Sequence, residues 1–250
     1  MKISIITPTY NSEKTISDTL DSVLSQEYKN VEHIIIDGLS SDNTLNIIRE
    51  YQEESEIRLI SEKDSGIYDA MNKGVSLSSG DIVGILNSDD IYYSKDVLNK
   101  VVNIFKSDNS IDAVYGDLIY VDRNNIDKIV RTWKSGEYSE SKLNWGWTIP
   151  HPSLFVQKRV YDKLNCIFNT KLSLAADYEL ILRLLKLERI KVEYINEVLV
   201  RMREGGSSAS SLFSRIKGWK ELRLSWKINK LRIPFLFIIR RLLIKIKQFI

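Results

Sequence analysis

Residues 83–90, Val-Gly-Ile-Leu-Asn-Ser-Asp-Asp, run from a short apolar stretch straight into two adjacent carboxylates, Asp89 and Asp90. Ending a buried strand in unpaired acids is a costly way to build a core, because an isolated buried carboxylate is strongly disfavoured. It is a good way to hold a hard divalent cation, which prefers oxygen ligands and keeps sites for substrate phosphates. The competing use of such acids is a turn or a helix N-cap after the strand. Two other apolar stretches end in a similar way. Residues 3–6 lead into Thr7-Pro8-Thr9-Tyr10-Asn11, and residues 31–36 lead into Asp37-Gly38-Leu39-Ser40-Ser41-Asp42. In an open parallel sheet, ligands bind outside the carboxyl ends of the strands. Three polar strand ends therefore point to one nucleotide–metal site.

The elements that must position these residues alternate in type. Strands are expected at 2–6, 31–36, 57–60 and 81–86. Between them, helices are expected near 13–25, where Ile16, Leu20, Val23 and Leu24 recur at helical spacing, near 42–53 with Ser41 or Asp42 as N-cap, and near 67–78. This alternation predicts a doubly wound α/β domain with a mainly parallel sheet. Beyond residue 90 the order changes. A helix at 95–107 precedes strands at 113–122 and 128–134, a loop at 136–150 that carries Trp145 and Trp147, and a strand at 153–156. Helices at 158–164 and 175–187 follow, and a strand at 191–195 leads on to 198–200. The expectation is one body, 1–205, with a nucleotide-binding half (1–110) and a β-rich half (111–205), followed by a helical tail (206–250).

The chain has 250 residues, 43% hydrophobic and 28% charged, which suits an ordinary globular core. Its single cysteine, Cys166, excludes an internal disulfide framework and fits a reducing compartment. The N-terminus enters a strand directly without the layout of a signal peptide, and no apolar stretch reaches the roughly 20 residues a bilayer span needs. A cytoplasmic protein is expected. Charge is uneven: from Ser207 onward eleven basic residues face one acid, Glu221, and +10 there against +3 for the whole chain leaves the body at −7. That split calls for a partner with a negative surface. In the segment 234–250, Phe235, Ile238, Ile239, Leu242, Ile246 and Phe249 recur at helical spacing with Arg240, Arg241, Lys245 and Lys247 off that stripe. Such a helix suits an anionic membrane surface. A helix packed back on the body is the structural alternative. Nucleic acid is not expected as a partner, because the tail carries no recognised reading motif.

Five segments together carry a family resemblance: Thr7-Pro8-Thr9-Tyr10-Asn11, Ile35-Ile36-Asp37-Gly38, Ser41-Asp42-Asn43-Thr44, Asn87-Ser88-Asp89-Asp90 and Ala176-Asp177-Tyr178-Glu179-Leu180. In order and rough spacing they resemble the family 2 glycosyltransferases, inverting enzymes of the GT-A fold, and the likeness covers most of residues 2–205. The stretch 62–74, from Glu62-Lys63-Asp64-Ser65-Gly66 to Asn72-Lys73-Gly74, looks like the bacterial subgroup that builds O-antigen, capsule and related exopolysaccharides. The resemblance implies a nucleotide-sugar donor, such as UDP-glucose, a polyprenyl-diphosphate-linked sugar acceptor, Mn2+ or Mg2+ as cofactor, and work at the inner face of the cell membrane.

By that resemblance Pro8, Thr9 and Tyr10 cradle the uracil and ribose, with the Tyr10 ring against the base, and Asp37 accepts from the base N3–H. Gly38 stands where many relatives have a second acid. The usual Asp-X-Asp metal motif has Asn87 in its first place, which can still bond a ribose hydroxyl, so Asp89 is the expected metal ligand. Ser88 lies between them on the donor side, and Asp90 caps the next helix or supports the metal shell. Asp64 is placed on the donor. Where relatives carry a phosphate-pairing Arg this chain has Met71, leaving Lys63 or Lys73 as substitutes, although Asn72-Lys73-Gly74 equally reads as a helix end closed by Gly. Asp177 matches the catalytic base that takes the acceptor hydroxyl proton, its structural alternative being an N-cap. Glu179 reads as a flanking helper or surface acid. His151 and Trp147 are candidate acceptor contacts, and His33 is structural. Arg201-Met202-Arg203-Glu204-Gly205-Gly206-Ser207-Ser208 resembles the Gly-rich loop that folds over donor, from which Arg201 or Arg203 reaches a phosphate, and it is expected to be disordered without donor.

Two other classes put acids at strand ends. A sugar nucleotidyltransferase needs a Gly-rich basic loop after its first strand, and residues 7–14 contain no glycine. A receiver-type signalling module needs an acidic pair there, where this chain has Pro8-Thr9-Tyr10.

Overall fold

The computed structural model describes residues 1–205, 212–246 and 248. Strands β1 (Ile3–Thr9), β2 (Val31–Asp37), β3 (Ile57–Ser61) and β4 (Ile82–Ile85) run parallel in the order β3-β2-β1-β4, joined by α1 (Ile16–Leu24), α2 (Thr44–Glu54) and α3 (Ile67–Leu77). This is the expected doubly wound half. Beyond β4 the sheet becomes mixed. β8 (Leu154–Gln157) lies antiparallel to both β4 and β6 (Ala113–Val121), and β9 (Val192–Arg203) lies parallel to β6. β5 (Asp90–Tyr92) and β7 (Ile129–Trp133) add antiparallel pairs to β9 and β6. The mixed, continuous sheet with helices on its faces is the GT-A arrangement.

Period-two alternation divides the core between the sheet's faces. Ile6, Val83, Ala113, Tyr115, Leu154 and Val156 join one apolar cluster with α3 and α7 (Ala176–Lys186). Their strand neighbours Ile5, Ile82, Val114 and Phe155 join the other, with α4 (Val97–Ser107).

Three elements differ from expectation. Residues 136–150 are not all loop, because α5 (Glu140–Asn144) forms there, with the Ser139 hydroxyl accepting from the Lys142 amide at 3.3 Å and Leu143 buried. Five residues are too short to show helical periodicity. The two strands expected between 191 and 200 are one twelve-residue strand, β9, which continues through Arg201 and Arg203 into what looked like loop. Pairing with β5 on one side and β6 on the other extends it. Gly206, Ser207 and Ser208, the rest of the expected donor loop, lie outside the described residues.

The tail's helices rest on the body. α8 (Leu212–Ile228) packs on α7, where Trp226 is buried and its indole N–H donates to the Tyr178 hydroxyl at 2.9 Å. The tail's one acid, Glu221, accepts from the amides of Ser173 and Leu174, just ahead of α7. α9 (Phe237–Ile246) buries Phe237 against Tyr178 and Trp226, while the short α6 (Lys158–Tyr161) follows β8. No described helix is long and apolar enough to cross a membrane.

Candidate active site

The loops after β1 and β2 are tied together at the carboxyl edge of the sheet. The Asn11 amide donates to Ser40 Oγ at 2.8 Å, and the Ser41 amide donates to Asn11 Oδ1 at 2.9 Å. Pro8 and Thr9 are buried at the end of β1, and Thr9 Oγ1 has no partner among the described residues. Tyr10 is 63% exposed, so its ring is not used in packing. Asp37 ends β2 fully buried, its carboxylate accepting from the Ser40 amide at 3.1 Å and from Ser61 Oγ at 2.7 Å.

Asp64 accepts from the Gly66 amide at 2.8 Å. A Cβ on Gly38 would lie 2.6 Å from Asp64 Oδ2. Asp64 therefore occupies the space a side chain at 38 would take, and would have to turn away to admit one. Met71 is buried in the core, and Lys73 is committed to Glu62 at 2.9 Å. Neither is aimed at a ligand. Lys63 remains exposed.

The turn after β4 is built around Asp90. This residue starts β5 fully buried, accepts from Asn87 Nδ2 at 2.9 Å, and has its pKa pushed well above the carboxylate range by burial and by the Asp89 charge. It does not cap α4, which starts behind Asp96. Asp89 is half-buried, its pKa raised by desolvation and opposed by the Arg203 and Arg123 charges. Ser88 is buried, its hydroxyl 2.8 Å from Ser12 Oγ. Arg203 was expected to reach a phosphate. Instead its guanidinium donates to the Asp89 carbonyl at 2.9 Å and pairs with Asp18, which clamps the acidic turn from beneath. Arg201 pairs with Asp127 at 3.3 Å.

No group of three or more His, Cys, Asp or Glu is placed to hold a metal among the described residues. The turn nevertheless offers hard oxygens. Besides the Asp89 carboxylate, Asn87 Oδ1 and Asp90 Oδ1 are buried without a partner among the described residues. That set fits a cation that takes one or two protein carboxylates and completes its shell with substrate phosphates.

The second end of the site forms at the start of α7. Asp177 is the helix's second residue and not its cap, since Ala175 holds that place. The Tyr68 hydroxyl donates to Asp177 Oδ1 at 3.0 Å. One hydrogen bond thus joins α3, on the donor-side half, to α7, and the α7 N-terminus favours negative charge. Tyr68 stacks on Phe168 at 5.8 Å, and Phe168 meets the His151 ring edge-on at 5.5 Å. His151 is buried, which lowers its pKa against the opposing pull of Asp177.

Two residues on this side differ from expectation. Trp147 is only 7% exposed and spends its indole N–H on the Ser135 carbonyl at 2.7 Å, so it forms the wall's interior, whereas Trp145 is 57% exposed. Glu179 is buried against Arg183 at 3.1 Å instead of lying at the surface. His33 is structural as expected, 2.9 Å from Thr7 Oγ1. Tyr68, Asp18 and the tail's Arg241 went unrecognised. Only Tyr68 had a signal, its place within the 62–74 stretch.

A sheet edge presenting acids beside a helix-borne carboxylate is the working arrangement of a nucleotide-sugar transferase. The comparisons agree: residues 4–163 match the model of Glycosyl transferase family 2, and the chain belongs to that family. It is a glycosyltransferase. It is 28% identical over 214 residues to a PGL/p-HBAD biosynthesis glycosyltransferase of Mycobacterium tuberculosis, covering 85% of this chain and 80% of that one. In fold it is similar to S. aureus TarS 1-349, solved in complex with UDP (TM-score 0.69, 18% identity, 96% of this chain and 68% of that). It is likewise similar to the Pyrobaculum calidifontis mannosyltransferase PcManGT, solved with GDP-Man and Mn2+ (TM-score 0.69, 17% identity, 97% of this chain and 68% of that).

Proposed function

We propose that this glycosyltransferase moves a sugar, a hexose such as glucose, from a UDP-sugar to a lipid-linked sugar acceptor in bacterial surface-polysaccharide synthesis, with inversion. The observation that carries this reading is the Tyr68–Asp177 hydrogen bond, which holds a carboxylate at a helix start against the donor-side half. Asp177 takes the proton of the acceptor hydroxyl as its oxygen attacks the anomeric carbon, and the bond to the nucleotide diphosphate breaks. On the donor, the exposed Tyr10 packs on the base, Asp37 and Asp64 accept from it, and Thr9, Asn87 and Ser88 bond the ribose. Asp37 is covered by Ser40, so the 38–42 loop opens as the base enters. Asp89, with Asn87 and Asp90 oxygens beside it, would hold Mn2+ or Mg2+, which supplies Lewis-acid stabilisation of the departing diphosphate. His151 borders the acceptor pocket with Trp145 in the place first given to Trp147.

The lipid acceptor places the enzyme at the inner face of the membrane. α9 supports this: Ile239, Leu243 and Ile246 are each more than half exposed, alongside Phe235 at 78%. Basic residues near an anionic surface contribute about 1 kcal/mol each.

The test is a panel of nucleotide sugars with a polyprenyl-diphosphate sugar acceptor, with and without Mn2+. UDP release and an inverted anomeric product are expected. Pyrophosphate release would instead indicate a nucleotidyltransferase, and turnover with retained configuration would remove Asp177 from its role.

A further inference from the structure

α9 packs Phe237, Ile238 and Ile244 against the body and carries Arg241 inward with them, while Ile239, Leu242, Leu243 and Ile246 are exposed. Arg241 Nη1 donates to the Gly146 carbonyl at 2.9 Å, and its guanidinium lies 5.0 Å from the Tyr178 ring centroid. Gly146 makes this seat possible. Its φ of +96° suits glycine, and a Cβ there would lie 3.0 Å from the Arg241 backbone nitrogen. One residue away, Arg240 lies over Trp145 at 4.2 Å. The helix is thus seated on the 145–147 loop, the wall already assigned to the acceptor.

Cations gather around this seat. Lys245 is acted on by the positive charges of Arg241, Arg131 and Arg215 and, in the opposite sense, by the Asp177 carboxylate. Arg241 feels Asp177 together with the hydroxyls of Tyr178 and Tyr120. Its Nε is buried with no partner among the described residues. Desolvation and these positive neighbours hold the Lys245 pKa down to about 8. The donor end has different cations, since Asp89 is acted on by Arg203 and Arg123.

We propose that Arg241 and Lys245, with Arg131 adding to their field, form an anion site beside Asp177 that binds the diphosphate of the acceptor. The assignment rests on the proposed transfer reaction and deepens it. Anchoring the diphosphate next to the base places the acceptor's sugar, which follows that group in the chain, within reach of Asp177. It also makes the tail part of the acceptor site, with the outward apolar face toward the lipid. Charge-assisted bonds from guanidinium to phosphate supply the recognition.

The test compares two acceptors of one sugar, one linked through a diphosphate to a short lipid and one through a neutral alkyl ether. Arg241→Gln should raise the KM for the diphosphate acceptor by about 10–100-fold, far more than for the neutral one, consistent with loss of a charge-assisted contact. Arg241→Lys should recover part of it. Inorganic pyrophosphate should compete with the diphosphate acceptor in the parent and about tenfold less well in Arg241→Gln. UDP affinity, read by calorimetry, separates the two readings. A parent that binds no UDP overturns the transfer reaction itself, whereas a parent that transfers sugar while Arg241→Gln shifts both acceptors equally overturns the anion site alone. Because Arg241 is buried, Lys245→Gln at an exposed position repeats the comparison should the first variant unfold, and equal KM shifts there count against the site. Binding to phosphatidylglycerol vesicles without acceptor distinguishes the remaining source of phosphate. Pyrophosphate competition that survives in both variants, with vesicle binding lost, would show that these cations read lipid headgroups and overturn the assignment.

Discussion

The proposed donor end and the proposed acceptor end of this site are built by different means. At the donor end, consecutive strand tips hold every group: Thr9, Asp37 and Ser61 sit side by side in register across β1, β2 and β3. Sheet geometry sets their spacing, and each loop is short. At the acceptor end, the groups come from α3, the 145–151 loop, α7 and α9, separated by up to 173 residues between Tyr68 and Arg241. Only packing brings them together. The donor end can therefore be fixed by local sequence, whereas the acceptor end can change with any one of its segments.

The strongest challenge to this division is Asp177→Asn, which keeps size and hydrogen bonding but removes the proton acceptor. The turnover rate should fall by about 10²–10⁴-fold, the range for a positioned base. UDP affinity should stay unchanged. Loss of UDP binding alongside a near-normal rate would move Asp177 to the donor end.

Asp89→Ala tests the other end. Loss of electrostatic stabilisation at the leaving group should cost about 10²–10³-fold in rate, together with weaker UDP-sugar binding in Mn2+ measured by calorimetry. Asp90→Ala should act through stability instead, since Asp90 is buried beneath the turn. Full turnover by Asp89→Ala in chelator would remove the metal assignment.

The strand tips were legible because each motif is continuous in sequence and ends an apolar run. Asp37, Asn87 and Asp89 emerge that way, whereas Asp64 rests on the family resemblance alone, and the parallel half of the fold follows from the alternation of 2-residue and 3.6-residue periods. What escaped was decided by partners far along the chain. Trp147 and Trp145 are two residues apart in one aromatic loop, and nothing local says which is buried. Arg203 reads as a mobile phosphate ligand until β9 is seen pairing on both sides, which draws its guanidinium under Asp89. Arg241 sits among apolar neighbours in a helix whose pattern suggests only a membrane face. Its inward turn depends on a glycine 95 residues earlier.

The donor end should also be the pH-sensitive foundation of the fold. His33 is fully buried beside Thr7 and its pKa is pulled down to about 4 by desolvation. The unfolded chain takes up a proton near the ordinary value of 6.5, while the folded chain resists until about pH 4. Stability is therefore intact above pH 6.5 and declines as pH falls through that window, by about 3 kcal/mol at the bottom from this residue, at 1.36 kcal/mol per unit. Denaturant titrations across pH 4–7 check this. His33→Gln should flatten the slope, and an unaltered slope would assign the acid sensitivity to other groups.

The smallest effect is expected from the one bond that crosses between the ends. Tyr68→Phe removes the hydroxyl that donates to Asp177 Oδ1 but keeps the ring stacked on Phe168. A hydrogen bond to a charged group is worth about 1.5–3 kcal/mol, but Asp177 is half exposed and water can replace the lost donor. The carboxylate then samples more orientations, and only the productive ones take the proton. The rate should fall by about 3–10-fold, well short of a full hydrogen bond's worth, with the KM for donor and the UDP affinity unchanged and the melting temperature nearly so. Because Tyr68 lies on α3, close behind Asp64, the variant also asks whether the two ends are independent. If Tyr68→Phe weakens UDP binding as much as it slows transfer, donor binding and base positioning are one coupled unit. A rate effect alone would show that the bond orients Asp177 without reporting to the nucleotide.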